Sequence, residues 1–268
     1  MDVWKKWYHR LIDRALLPFT FRVVGNSDAV GRFYQQTERI PEEKMAVVYN
    51  GVDLDEFKNV EAPPALKKQV GVEQSGFIIG AGGRFTEQKG FINLLKAVPS
   101  VMKAYPESRF VLVGDGPLRR SFEDFVAANG LEKNVVFTGY RKDILRIFSF
   151  CDVIAVPSLF EGMPNMVLEA MALKKPVVGT DIPEIAELVK DGENGFLVPV
   201  KNNEGQIAEK IIVLLQNTEL RRKMGENGYS VVNERFSMES MVRGYEDIYM
   251  AAFGEKDRLP RRTLHSSQ

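Results

Sequence analysis

Six short apolar runs lie between residues 77 and 198, at 77–82, 109–114, 135–138, 153–156, 177–180 and 195–198. They are continuous rather than alternating apolar with polar residues, the pattern of a strand with one wet face. A strand that is apolar on both sides needs cover on both sides. The runs therefore read as strands of a parallel sheet held between two layers of helices. The segments between them fit that role. Residues 91–104 carry Leu94, Leu95, Val98 and Met102 on one side, and residues 118–129 end at Gly130. Helical stretches follow at 143–150, from Pro183, and at 206–215, where Ile207, Ile211, Leu214 and Leu215 share one face. The predicted fold class is α/β, a doubly wound parallel sheet of the Rossmann-like type. Such sheets bind ligands beyond the carboxyl ends of their strands. Those ends carry Gly82, Gly114, Gly139 and the loop after Val156.

Two segments on that edge carry chemistry. The first runs Glu161-Gly162-Met163-Pro164-Asn165-Met166-Val167-Leu168-Glu169. Asn165 follows a proline and is expected to cap a helix, which puts Glu169 about one turn inside it and leaves Glu161 on the loop. Both carboxylates then face one crevice at a helix N-terminus, where free N–H groups and partial positive charge favour an anion such as phosphate. Carboxylates suit hydroxyl groups, so the pair suggests a sugar-bearing phosphate ester. A capped helix with two solvated glutamates would give the same string. The second segment is the first strand-to-helix turn, Gly82-Gly83-Arg84-Phe85-Thr86-Glu87-Gln88-Lys89-Gly90. Its glycines let the backbone approach a ligand. Arg84 and Lys89 would neutralise a diphosphate, Arg with a planar fork and Lys as a point charge. A dinucleotide fingerprint fits less well, because Phe85 stands where its third glycine belongs. The alternative is a glycine turn with two solvated cations.

Composition removes several function classes. The 36 Lys and Arg balance 36 Asp and Glu, so there is no global basic field and no nucleic-acid partner is expected. The single cysteine, Cys151, excludes an internal disulfide framework and fits a reducing, cytoplasmic setting. It adjoins an apolar run and reads as a small buried residue. The two histidines, His9 and His265, lie near the ends, so neither a zinc site nor a Ser-His-Asp triad is expected in the central region. No stretch stays apolar for about 18 residues and there is no secretory h-region, so no membrane span is expected.

Taken in order, the segments Gly83–Gly90 (Gly-Arg-Phe-Thr-Glu-Gln-Lys-Gly), Val-Leu-Val-Gly-Asp-Gly-Pro from Val111, Phe-Thr-Gly-Tyr from Phe137, and Glu-Gly-Met-Pro-Asn-Met-Val-Leu-Glu-Ala-Met-Ala from Glu161 resemble a known family. Their order and spacing are similar to the donor half of group-1 (family 4) retaining glycosyltransferases, from about Val47 to Phe236. That family has two Rossmann-like domains facing across a cleft, the GT-B fold. The resemblance implies roles for individual residues. Arg84 and Lys89 would hold the donor diphosphate, and Glu161 would contact hydroxyls of the transferred sugar; these three would serve the chemistry. Gly83 would flank the diphosphate, and Glu169 would bind the ribose. Backbone groups of Met163, Pro164 and Asn165 would line the sugar and phosphate, and Tyr140 and Arg141 would sit near the base. The co-substrate would be a nucleoside-diphosphate sugar, with no metal and no further cofactor. The acceptor would be a hydroxyl on a glycan or lipid-linked saccharide, as in cell-envelope glycan synthesis.

The resemblance also exposes a departure. The family's acceptor-side domain normally precedes the linker Asn50-Gly51-Val52-Asp53 and is about as large as the donor domain. Here only about fifty residues precede it. The expected division is 1–52 as a remnant of that domain with its linker, 53–230 as the donor-binding domain, 231–254 as helices packing back toward the N-terminal part, and 255–268 as a disordered tail containing Arg261 and Arg262. In the remnant, Trp4, Trp7, Tyr8, Leu11, Ala15 and Leu16 form an apolar stripe, residues 21–27 read as a strand and turn, and Ser27 or Asp28 would cap the next helix. The usual acceptor-side glycine loop and active-site histidine have no counterpart, and His9 is on the wrong element. The chain is therefore expected to be a truncation, a fragment, or one subunit of a split enzyme whose partner protein supplies the missing domain. A donor-binding subunit, an inactive fragment and a nucleotide-sugar epimerase are the alternatives. The stripe reads as core lacking its partner sheet. The competing reading, with Lys5, Lys6, Arg10 and Arg14, is peripheral attachment at the inner face of the membrane.

Overall fold

A computed structural model describes residues 6–58 and 60–254. Trp4, Lys5, Arg261, Arg262 and His265 lie outside the described residues. In chain order the first part comprises α1 (Trp7–Leu16), β1 (Val23–Gly25), α2 (Asp28–Glu38), β2 (Met45–Val47) and α3 (Pro64–Val70). There follow β3 (Ile78–Gly82), α4 (Phe91–Ala104), β4 (Arg109–Val113), α5 (Arg119–Ala128), β5 (Val135–Gly139), α6 (Ile144–Ser149) and β6 (Val153–Val156). The last part comprises α7 (Asn165–Ala172), β7 (Val177–Thr180), α8 (Pro183–Ala186), β8 (Gly195–Val198), α9 (Glu204–Gln216), α10 (Thr218–Arg235) and α11 (Met238–Phe253).

The six apolar runs form one sheet in the order β5-β4-β3-β6-β7-β8, parallel throughout. This is the doubly wound arrangement that the runs predict. Successive side chains leave a strand on opposite faces, and each face has its own core. Ile78, Val111, Val113, Ile154 and Val156 join Val167, Leu168 and Met171 of α7 in one. Ile79, Phe110, Leu112, Val153 and Ala155 join Leu94, Leu95 and Val98 of α4 and Ile211 and Leu214 of α9 in the other. This two-sided burial is why the strands read as continuous apolar runs. Cys151 is buried, and burial raises its thiol pKa above the usual range.

Strand order reverses between β3 and β6. From β3 the chain builds outward through β4 and β5, then returns to the other side of β3 to add β6, β7 and β8. The loops after β3 and β6 leave adjacent strands at this switch point, the place where sheets of this type bind ligands.

The N-terminal part is a two-stranded parallel sheet, β1 with β2, with α2 packed on both strands. Ser27 caps α2 as predicted, its Oγ accepting a hydrogen bond from Val30 N at 3.1 Å. No residue of α1 is buried, and its stripe is open to solvent, with Trp7 at 73% exposure. The stripe thus has no core of its own among the described residues. Helix α11 also has no buried residue and exposes Val242, Tyr245, Tyr249 and Phe253. Its first half lies along the linker. Val52 N donates to Phe236 O at 2.8 Å and Met238 N to Val52 O at 2.9 Å, and a methyl group on Gly244 would lie 3.1 Å from Val48. Among the described residues no helix is long and apolar enough to cross a membrane.

Candidate active site

The loops after β3 and β6, 83–90 and 157–164, are joined where residues 88–90 meet 157–161. Leu159 N donates to Gln88 O at 2.8 Å, and Gln88 Nε2 donates to Phe160 O at 3.1 Å. Gly90, at φ +61°, lies so close to the second loop that a Cβ there would fall 2.0 Å from Pro157 O. Lys89 Nζ donates to Glu161 Oε1 at 2.7 Å, and the Ser158 hydroxyl donates to the same oxygen at 2.6 Å. The loop after β4 closes in from the other side, where Gly83 N donates to Val113 O and Phe85 N to Asp115 O, both at 2.9 Å.

Phe85, the residue that spoils the dinucleotide pattern, anchors this turn. Its side chain is fully buried and meets Phe91, Phe122 and Phe137 edge to face. With Phe85 turned into the core, neighbouring Arg84 is turned out. Arg84 is exposed, and among the described residues its guanidinium has no hydrogen-bond or ion-pair partner. The expected pair of cations is thus one free guanidinium and one ammonium already held by Glu161.

Asn165 does not cap α7. It is the first helical residue, and the cap position falls on Pro164, which offers no side-chain acceptor. The Asn165 side chain points to the linker instead, with Oδ1 accepting from Asn50 Nδ2 at 2.9 Å. The helix therefore starts without a side-chain cap, but Asn165 N donates to Met163 O at 2.9 Å and Val167 N to Pro164 O at 2.8 Å, so among the described residues Met166 N is the first-turn N–H left for an external anion. Met163 and Pro164, which end the loop, are buried. Met166 ties the start of α7 to the end of β3, its Sδ accepting from Gly82 N at 3.1 Å.

Glu169 sits one turn further in. Burial pushes its pKa up from the usual 4.5 to about 6, and among the described residues no donor reaches its carboxylate. The cost of this buried charge is absent below about pH 4.5, develops as pH rises through about 6, and is complete above it. Relieving it with Glu169→Gln is expected to raise stability at pH 7.5 by about 2 kcal/mol, measured by urea denaturation, and to leave stability at pH 4 nearly unchanged. A ligand diol would donate to the ionised carboxylate, so binding should lower this pKa. If Glu169 binds a ribose diol, as the family resemblance implies, affinity for a nucleoside-diphosphate sugar, whose phosphates do not titrate in this range, is expected to fall between pH 7 and pH 5 in the wild type and to stay flat in the variant.

Tyr140 and Arg141 follow β5. Tyr140 is 78% exposed. Arg141 makes a bidentate pair with Asp143, at 2.8 and 2.7 Å, and reaches Gln69 Oε1 at 3.3 Å. This pairing lowers the Asp143 pKa and turns the guanidinium toward α3.

The N-terminal part rests directly on the second loop. The Ser27 hydroxyl donates to Gly162 O at 3.1 Å. Glu187, just past α8, accepts from Asp28 N at 3.1 Å, Ala29 N at 2.6 Å and Arg32 Nη2 at 3.2 Å, so its carboxylate meets the positive end of α2. Tyr49, next to the linker, is held neutral by burial and by its hydrogen bond to Asp28.

Ser158, Thr180 and Glu187 are the positions that sequence reasoning passed over. The available signal was placement: each is a polar residue just beyond, or ending, a strand on the ligand-binding edge or the helix after it. The expectation of no metal also passed over Asp53-Leu54-Asp55, which has the Asp-x-Asp spacing found at some metal-dependent sites. Here Asp53 Oδ1 accepts from Asp55 N at 3.0 Å and Asp55 pairs with Lys58 at 2.6 Å, so both carboxylates serve a local turn.

Comparison with known proteins agrees with this layout. A family model for group 1 glycosyl transferases matches residues 64–231. An uncharacterized glycosyltransferase of Methanocaldococcus jannaschii is 35% identical over 206 residues, 76% of this chain and 52% of that protein. N-acetyl-alpha-D-glucosaminyl L-malate synthase of Bacillus anthracis is 30% identical over 209 residues, 78% of this chain and 54% of that protein. Among solved structures, Anabaena HepE in complex with UDP and glucose superposes with a TM-score of 0.79 at 26% identity, covering 91% of this chain and 66% of that one. The chain spans about half the length of the curated relatives it matches.

Proposed function

The chain belongs to the group 1 glycosyl transferases, and from that membership we propose that it carries the donor side of a retaining, family 4 enzyme that moves a sugar from a nucleoside diphosphate to a hydroxyl acceptor. The observation that carries this reading is the Lys89–Glu161 pair at 2.7 Å, set at the strand-order reversal with Arg84, unpartnered among the described residues, five positions before Lys89, and with the start of α7 lacking a side-chain cap.

The task of such a site is leaving-group stabilisation. Negative charge builds on the diphosphate as the bond between sugar carbon and phosphate oxygen breaks, and preorganised donors aimed at that charge lower the barrier. Arg84 provides a forked donor. Lys89 has three N–H donors and uses one on Glu161, so the others remain for a phosphate oxygen. The α7 N-terminus adds its dipole. Glu161 receives sugar hydroxyls and Glu169 the ribose, while Tyr140 and Arg141 lie toward the base. No metal is assigned a role. UDP-sugars are the first donors to test, because HepE was solved with UDP and glucose.

The acceptor side is assigned to a complementary domain. In this reading residues from 53 bind donor and 1–52 belong to the acceptor side; the expected bound at 230 moves, because α10 runs on to Arg235 with Val232 and Phe236 in the donor core, and it is α11 that returns toward the N-terminal part. Two observations support this. A two-stranded parallel sheet cannot cover its own faces, and α1 and α11 both have no buried residue. Protein cover is favoured over a membrane surface because β1–β2 needs cover as much as α1 does.

The test is titration of Glu161→Gln by calorimetry. Free nucleotide affinity is expected to hold, and affinity for the intact sugar nucleotide to fall roughly tenfold or more, the scale of a hydrogen bond to a charged group. Equal losses for both ligands would remove the sugar role.

A further inference from the structure

We infer that Ser158, held in place by Thr180, is a positioning residue that keeps Glu161 aimed at the transferred sugar while Lys89 is shared with the diphosphate. The inference rests on the reading that Glu161 faces the sugar.

Both groups lie deep in the fold. Ser158 is 1% exposed and Thr180 is fully buried. A buried hydroxyl is costly unless its proton is used. Thr180, the last residue of β7, donates its hydroxyl to the Ser158 carbonyl. Ser158 stands at the beginning of the loop after β6 and donates its own hydroxyl to Glu161 Oε1 at 2.6 Å. The hydrogen bonds thus run from the sheet through Thr180 and Ser158 to the carboxylate.

The two oxygens of Glu161 are treated differently. Oε1 takes both protein donors, Lys89 Nζ at 2.7 Å and Ser158 Oγ at 2.6 Å. Oε2 takes none among the described residues and is not shut off from solvent. Two charge-assisted hydrogen bonds on one oxygen resist rotation of the carboxylate, so the direction of Oε2 is set before any ligand arrives. Such prior orientation keeps a ligand from paying for it on binding.

Lys89 could not do this alone. Its ammonium sits on a flexible four-carbon stem and is the group expected to shift toward a bound phosphate. A carboxylate held only by Lys89 would follow it. Ser158 has a single short side-chain torsion, and its backbone is tied to β7, so it holds Glu161 to the scaffold instead.

The experiment compares Ser158→Ala, Thr180→Val and Thr180→Ser with Glu161→Gln in the full chain, titrating each with UDP and with UDP-glucose. Ser158→Ala is expected to leave UDP affinity unchanged and to lower UDP-glucose affinity roughly tenfold. Thr180→Val should act in the same direction, and Thr180→Ser, which keeps the hydroxyl, should restore the wild-type ratio. Ser158→Ala/Glu161→Gln should be no weaker than Glu161→Gln alone, since both remove one interaction. If Ser158→Ala melts too low to titrate, Ser158→Cys, with a weaker donor of similar shape, is measured the same way. Equal loss for both ligands in the Ser158 variants, or additive losses in the double variant, would overturn the positioning role. If Glu161→Gln itself fails to separate UDP from UDP-glucose, the sugar-facing assignment of Glu161 fails instead.

Discussion

Arg84→Ala/Lys89→Ala is expected to bind nucleoside diphosphate roughly 100-fold more weakly than the wild type, a loss of about 3 kcal/mol. Two charge-assisted contacts are removed, while the α7 N-terminus and the Glu169 contact remain. The two positions should not be equivalent. Arg84 is exposed and, among the described residues, unpartnered, so Arg84→Ala removes one contact that salt already screens. Lys89→Ala does more, because it also strips the ammonium from Glu161, whose side chain is 6% exposed. The uncompensated carboxylate would then face the incoming diphosphate. Lys89→Ala should therefore be the more damaging single change, and adding Glu161→Gln should recover part of the affinity. Calorimetric titration with UDP across the four variants decides the matter. Equal affinity in the wild type and the Arg84/Lys89 double variant would remove the phosphate role of this turn.

Gly90→Ala is expected to cost about 3–5 kcal/mol of stability, combining a left-handed backbone penalty with overpacking. A methyl group at this position would fall 2.0 Å from the Pro157 carbonyl oxygen, a backbone atom that cannot rotate away. The two site loops would have to separate, and with them Lys89 and Glu161. At the scale of 2–4 °C per kcal/mol for a chain of this size, the melting temperature should fall by about 10 °C. Nucleotide binding should be lost in whatever remains folded. Gly130→Ala is the matched control, since Gly130 has φ +65° but open space where the Cβ would stand. It should cost only about 1–2 kcal/mol, the backbone penalty alone. If the two variants melt together, the close approach at Gly90 is not what holds the loops.

Lys89 and Glu161 illustrate how far sequence reading reaches. Each was legible as a candidate from its own neighbourhood: a cation after a glycine turn, a carboxylate ahead of a helix. Their pairing across 72 residues was not legible, because it depends on β3 and β6 lying side by side. Phe85 shows the same limit. Its place in the string read as a defect in a glycine pattern, and only the packing of Phe91, Phe122 and Phe137 around it makes it the anchor of the turn. Asn165 looked like a cap because asparagine after a loop often is one. Its side chain instead bonds Asn50, a partner 115 residues away that local propensity cannot weigh.

What the sequence determined by itself was whatever depends on near neighbours. Apolar runs without alternation required a sheet covered on both faces, helical spacing supplied the cover, and glycines at the strand ends marked the ligand-binding edge. The order and spacing of four short segments then pointed to a family. What only the tertiary structure decided was which of these pieces touch. Crossover connections put β6 beside β3 and so brought Lys89 to the Glu161 oxygen that Ser158, three residues before it in the same loop, also contacts, and put Thr180 of β7 behind Ser158. Hydrogen bonds act over about 3 Å, and no local pattern encodes which distant strand will stand within that reach.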